Sequence, residues 1–467
     1  MLDFAIFAVS FVIFLLIIVF YLYPGSAKAT SIPGMDPSDP KEGNVPDILQ
    51  AGSLHNFLEN LHEEHGPIAS FWMGSTLTVS IAAPELFEQQ LHVFDKPVDL
   101  FTLYKPITGD GSLLFSNGTE GRKRRQQFDK IIYHMNNEST FTQLKEFADE
   151  LTKKWTTLPT EQHIPVFQYM MALCMKACTY IGFGDCFLDG KEVLEFSRNF
   201  EICWIELEAR VTGSVPDPES LRNERFLEAV ERLQETIRKS LHSRQSKEKK
   251  NLILLDHLIE LNVPEEQIIN DGVVFVVKHY SVVCAMVWAI YFLATHKDVQ
   301  EKVYKELKDV VGSSTLSYTV LSKLKYLRQV INETLRMAAV EPWTARCQDL
   351  DTEIGGHIIP KKTPVIQALG VVLHSENYWS LPKTFNPDRF DEDDTNSRSK
   401  LAFQPFGFSG KRQCPGSDLV YMQLALYISV ICTKFQLHLV DGQVVNPLQR
   451  VITRPEDEVW ITISPRS

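Results

Sequence analysis

The chain has 467 residues, 44% apolar and 23% charged, which is ordinary globular composition with ample material for a core. Its formal charge of -12 argues against nucleic acid as a partner. The eight cysteines are scattered with no Cys-x-x-Cys pair, so neither a zinc site nor a disulfide framework is suggested, and a reducing compartment fits.

Phe4–Tyr23 is an unbroken apolar run without a charge. About twenty such residues span a bilayer as a helix. Asp3 precedes the run and Lys28 follows it, which puts the C-terminal side in the cytoplasm. The run is too long and its start too acidic for a cleaved signal peptide, so residues 1–24 read as a transmembrane signal anchor. Residues 25–50 are rich in Pro, Gly, Ser, Asp and Lys and read as a linker. Ser53–Glu64 has helical spacing through Leu54, Phe57, Leu58 and Leu61, with Ser53 as cap. After Gly66-Pro67, Ile68–Met73 and Thr76–Ile81 alternate as two short strands around Gly74. Phe94–Ser116 lacks periodicity and reads as a loop, and Asn117–Lys130 carries the basic run Arg122–Arg125. Residues 140–250 are helical in pattern, with a long amphipathic stretch over Asn223–Gln245, and Glu265–Lys297 reads as one long helix. Tyr326–Met337 places Glu333 and Arg336 three apart on one helical face. Thr352–Val365 is hairpin-like around Gly355-Gly356, and Phe385-x-Pro387-x-Arg389-Phe390 follows.

Phe403–Gln436 carries the chemistry. A Gly-rich, basic loop leads to Cys414, then Pro415, then about twenty mostly apolar residues of helix-compatible sequence. Proline suits a first helical position. The pattern therefore sets Cys414 at a helix N-terminus, where the dipole, Lys411 and Arg412 favour the thiolate. A thiolate there suits a soft metal. A lone cysteine is ordinarily a packing residue, but the order Gly410, Arg412, Cys414, Gly416 is far rarer. It resembles the haem-thiolate loop of the cytochrome P-450 superfamily. The aromatic that opens the family motif is displaced: Gly407 holds its position, flanked by Phe406 and Phe408. Glu333, Arg336 and Arg389 match the family's buried charged triad.

The resemblance implies a mainly α domain with small β-sheets over residues 51–467, in the P-450 fold, preceded by the transmembrane helix. It implies haem b, with Cys414 as axial ligand, Arg125, Arg346 and Arg412 on the propionates, and Phe406, Gly410 and Gly416 around the proximal face. The family's propionate-binding Trp is replaced by Gly121. The end of the long helix fixes its register, so the usual small-Gly-x-acid-Thr segment falls on Val277-Lys278-His279-Tyr280-Ser281. Tyr280 replaces the acid and Ser281 the Thr, leaving them as candidate proton donors, while His279 reads as a core or surface histidine. The resemblance further implies NADPH-cytochrome P-450 reductase as electron donor, with cytochrome b5 as a second, docking on the basic side formed by Arg122, Lys123 and Lys411. It implies a small lipophilic substrate and a single-pass endoplasmic reticulum membrane, with the catalytic domain cytoplasmic. The opening MLDFAIFAV, Ile32-Pro33-Gly34, the loop and the ending EVWITIS are similar to animal P-450 family twenty. The expected activity is monooxygenation. The altered long helix keeps two alternatives open, a haem-thiolate isomerase or dehydratase and a non-catalytic haem sensor.

Overall fold

The computed structural model describes residues 30–245, 252–312, 315–391, 396, 398–408 and 411–466. The anchor at residues 1–24, the start of the linker and Gly410 lie outside the described residues. From Ile32 onward the linker is packed rather than free. Ile32 is buried, Met35 N donates to Ser70 O at 2.9 Å, and Gly34 lies so close that a Cβ would meet Ser70 O at 2.0 Å. Only glycine permits that approach.

Ser53 caps α1 (Leu54–His65) through its side chain, which accepts from Asn56 N at 3.0 Å. The strands β1 (Ile68–Met73) and β2 (Thr76–Ile81) pair antiparallel, Ile68 opposite Ile81, with the bounds the alternation predicts. The segment 94–116 is less irregular than its composition suggests, because it holds a 3-10 turn at Val98–Tyr104 and a helical turn at Lys105–Thr108. Six long helices follow: α2 (Gly118–Met135), α3 (Glu138–Trp155), α4 (Val166–Phe183), α5 (Gly190–Val211), α6 (Leu221–Gln245) and α7 (Glu265–Thr295).

α7 is long and apolar enough to cross a membrane, yet most of it is buried inside the fold. It is the central core helix, packed against α4 and α6. Beyond it come α8 (Lys325–Ala338), β3 (Thr344–Arg346), β4 (Val365–Gln367), α9 (Leu369–His374) and α10 (Ser417–Lys434). β4 joins β2 in parallel, Val79 opposite Val365, and β3 antiparallel, which completes a four-stranded sheet. The predicted hairpin forms at Thr352–Ile354 and His357–Ile359.

α8 carries Glu333 and Arg336, both without exposure. Arg336 Nε donates to Glu333 Oε2 at 2.8 Å and its Nη2 to Oε1 at 2.9 Å, while Arg389 Nε reaches Oε1 at 3.0 Å. The remaining arginine donors go to the carbonyls of Leu373, Pro382, Ser380 and Thr384. The buried charge is thus paired and its hydrogen-bonding capacity used.

Candidate active site

Between α7 on one side and the Cys414 loop with α10 on the other lies a mostly apolar cavity of about 250 Å³. Cys414 lines it. The helix begins at Ser417 with Gly416 as its cap, so Cys414 sits in the preceding turn, two residues short of the expected position. Its amide donates to Phe406 O at 3.0 Å. Burial pushes the thiol up from its ordinary range, against the pull of the Gly416 amide and of Arg125 and Lys278. In the protein without its metal, desolvation thus outweighs the nearby cations. A metal bound on Cys414 would hold the sulfur as a thiolate.

Phe406 lines the cavity, whereas Phe408 is buried behind the loop and stacks on Phe87 at 5.8 Å. Gly407 between them has φ +80°, the left-handed turn that sends the two rings to opposite sides. Gly416 lines the cavity beside Cys414.

Arg125, Arg346 and Arg412 come together in the cavity wall, joined by Lys96, which sequence reasoning missed. Arg125 donates to Asp129 and to the Gln413 carbonyl. Arg412 donates to the carbonyls of Phe94, Leu113 and Ser116, so it also fastens the 94–116 segment. Arg346 Nε has no partner although it is buried. Burial, then Arg125, lowers the Arg346 guanidinium to about 10; burial, then Arg125 and Arg346, lowers Arg412 to about 9. Burial, then Arg412, Arg346 and Lys278, hold Lys96 well below its ordinary range. Crowded buried cations with an orphaned donor are a site for an anion. The two carboxylates of a haem, set beside a cysteine and an apolar slot, fit this arrangement. The missing Trp has a steric cause: a Cβ on Gly121 would lie 2.4 Å from Ser116 O, so the 94–116 segment occupies the space of a side chain.

Val274, Phe275, Lys278, His279, Ser281, Val282 and Ala285 of α7 line the cavity, a single helical stripe. Tyr280 is off that stripe and is not in the cavity. It packs among Phe167, Phe200 and Trp204, the last at 4.6 Å between ring centroids. Its expected place as a proton donor is therefore corrected by helix phase. Ser281 does face the cavity, and its hydroxyl donates back to Lys278 O at 2.8 Å. His279 also faces it, neutral at ordinary pH because burial lowers it to about 4, with Nε2 unpartnered.

Lys278 Nζ lies 3.3 Å from Glu341 Oε2. Burial works against the Lys278 charge, but Glu341 and Tyr104 outweigh it and raise the ammonium above its ordinary range. Glu341 is the only carboxylate lining the cavity among the described residues. No motif marks it, and a lysine inside an otherwise apolar helix was the one available signal.

Residues 33–462 match the family described as Cytochrome P450. The chain is 36% identical to cytochrome P-450 20A1 of Bos taurus over 468 residues and 35% identical to that of Homo sapiens over 472, with all of each chain covered. The crystal structure of the cytochrome P-450DA haem domain superposes with a TM-score of 0.82, covering 93% of this chain and 98% of that one, at 19% identity. The chain belongs to the cytochrome P-450 family of haem-thiolate monooxygenases.

Proposed function

We propose that the chain inserts one atom of dioxygen into a small lipophilic substrate, using electrons from NADPH delivered by a membrane-bound flavoprotein reductase, with cytochrome b5 as a second donor. The observation that carries this reading is the cavity itself, with Cys414 on one wall, four cations at its rim and an apolar stripe of α7 opposite. When bound on Cys414, the haem supplies dioxygen activation, to which a thiolate ligand lends electron density. Arg125, Arg346, Arg412 and Lys96 would hold its propionates by charge-assisted bonds. Val274, Phe275, Val282, Ala285 and Leu369 exclude water and accept apolar substrate.

Proton supply is the point at which this chain departs from the family pattern. The acid on the long helix is absent, and the Ser281 proton is engaged on Lys278 O. The Lys278–Glu341 pair brings an acid and its partner into the same wall from two elements. Glu341 keeps Nζ charged beside the cavity, so the pair fixes a cation in the α7 wall where the family pattern has an acid.

Arg122, Lys123 and Lys411 are all exposed, whereas Arg125 is buried, as a docking face for an acidic electron donor requires. Residues 1–24 would anchor the chain in the endoplasmic reticulum with the catalytic domain on the cytoplasmic side. The absence of an acid on the α7 stripe also favours a second reading, rearrangement of a peroxide without a reductase. Substrate-dependent NADPH consumption separates the two.

The test is the absorption spectrum of the reduced, carbon-monoxide-bound protein beside Cys414→Ser. A strongly red-shifted Soret band that vanishes in the variant supports the reading. A haem spectrum without that shift in the parent protein overturns thiolate ligation.

A further inference from the structure

Away from the cavity, α1 and α9 bring three metal-ligating side chains to one point. His55 is 1% exposed, and neither of its ring nitrogens has a hydrogen-bond partner. Its Nε2 lies 3.4 Å from Glu59 Oε1. His374 Nδ1 approaches the same oxygen at 3.2 Å. His374 Nε2 lies 3.1 Å from the Met337 carbonyl. A carbonyl only accepts, so Nε2 carries the hydrogen and Nδ1 is left with a lone pair aimed at a carboxylate oxygen. Two acceptors facing each other need a cation between them, either a proton or a metal ion.

The geometry favours the metal. Zinc binds His nitrogen and carboxylate oxygen at roughly 2.0–2.2 Å in a tetrahedron, which separates neighbouring ligand atoms by about 3.3–3.5 Å. The two observed separations, 3.4 and 3.2 Å, lie close to that spacing, and all three ligand atoms fall within 4.8 Å of one another. A proton shared by His374 and Glu59 accounts for one separation, but His55 Nε2, 3.4 Å from the same oxygen, makes no hydrogen bond to it and stays an unpartnered buried nitrogen. The Nε2–H bond to a backbone carbonyl is the usual outer support of a metal-bound histidine. Gly370 keeps the place open, because a Cβ there would lie 2.5 Å from His55 Cε1.

We propose that His55 Nε2, Glu59 Oε1 and His374 Nδ1 form a site for one divalent transition-metal ion, zinc by ligand type, with the fourth position open to solvent. Glu59 and His374 are 38% and 30% exposed, which gives the ion its entry path. The ligands lie 315 residues apart in the chain and none of them lines the haem cavity. The ion would pin α1, the first long helix after the linker, to α9 beside the Arg336 triad. The inference does not depend on the haem reading.

The test uses the haem-loaded full chain, stripped with a chelator and titrated with zinc against a chromophoric competitor. One zinc per chain is expected, with a zinc-dependent rise in Tm. Glu59→Gln, nearly isosteric and partly exposed, should lose at least about tenfold in affinity and abolish the Tm shift, with His374→Gln doing the same. Unchanged haem and far-UV spectra confirm that each variant is folded. Zinc uptake that both variants retain places the ion elsewhere, on a thiol such as the exposed Cys186, and overturns the proposal. No uptake overturns it, and a His374 ring found protonated by NMR at neutral pH would then assign a His–Glu ion pair.

Discussion

Arg336→Met removes one charge from a site with no solvent. Arg336 makes four hydrogen bonds of 2.8–2.9 Å, two to the Glu333 carboxylate and two to the carbonyls of Leu373 and Pro382. Methionine fills similar volume but supplies none of them. Glu333 keeps Arg389 at 3.0 Å and the Asn386 amide at 2.9 Å, so its charge is under-compensated rather than bare. Breaking a buried pair by removing one partner costs about 3–5 kcal/mol. Native domains hold only about 5–15 kcal/mol in all. The variant should therefore lose about a fifth or more of its stability, measured by urea unfolding of the haem-loaded protein, and give a sharply reduced folded yield. Adding Glu333→Gln should make matters no worse, since it removes the under-compensated charge. An unfolding free energy for Arg336→Met within about 0.5 kcal/mol of the parent would refute the argument, because surface substitutions alone reach that size.

Other outcomes follow from single contacts. Arg346→Leu removes a cation with an orphaned Nε in the cavity wall, and loss of one charge-assisted bond of about 1.5–3 kcal/mol should speed haem release roughly 10- to 150-fold, read by transfer to an apoglobin acceptor. Glu341→Gln takes away the main support of the Lys278 ammonium. At 3.3 Å, with both side chains over a third exposed, the screened interaction is on the order of 1 kcal/mol. The Lys278 titration should then move down by about one pH unit, read by NMR of isotopically labelled lysine. His62 donates from Nδ1 to Gly66 O and accepts at Nε2 from Ser80, both at 2.7 Å. Burial lowers it to about 4 despite the Gly66 bond. The unfolded chain thus binds the proton more readily, so its contribution is intact above about pH 6.5 and falls away toward pH 4, by up to about 1.4 kcal/mol per unit. His62→Gln should flatten that acid limb by about one proton in a pH series of unfolding curves.

The elements that were legible in the sequence are those with a local cause. Ser53 caps a periodic run, the strands around Gly74 alternate, and α8 carries a strong apolar stripe, so their bounds hold within a residue or two. Cys414, Arg125, Arg346 and Arg412 could be named because their motifs have fixed spacing, and the fold brings them into one wall. What stayed hidden depends on contacts far along the chain. Lys96 gains meaning only when the 94–116 segment folds over Gly121, and Glu341 only when the turn after α8 meets α7. Tyr280 was misplaced because a motif register assigns identity along a helix but not the face on which the cavity lies. Helix phase settles that, and it puts Lys278, His279 and Ser281 inside and Tyr280 outside.

The charge balance of the cavity argues that the Lys278–Glu341 pair is reserved for the α7 side. Five cationic side chains line it, Lys96, Arg125, Lys278, Arg346 and Arg412, against one carboxylate. Lys278 is matched by Glu341 and Arg125 is partly matched by Asp129, which leaves Arg346, Arg412 and Lys96 without acidic partners of their own in the wall. Two propionates would neutralise two of these, and Lys96, already held well below its ordinary range, is the cation that can yield its charge at least cost. Nothing in that balance calls on Lys278. A self-neutral pair in the wall adds no net charge to the cavity and strands no buried charge. An unpaired acid on the apolar face of α7 would do both.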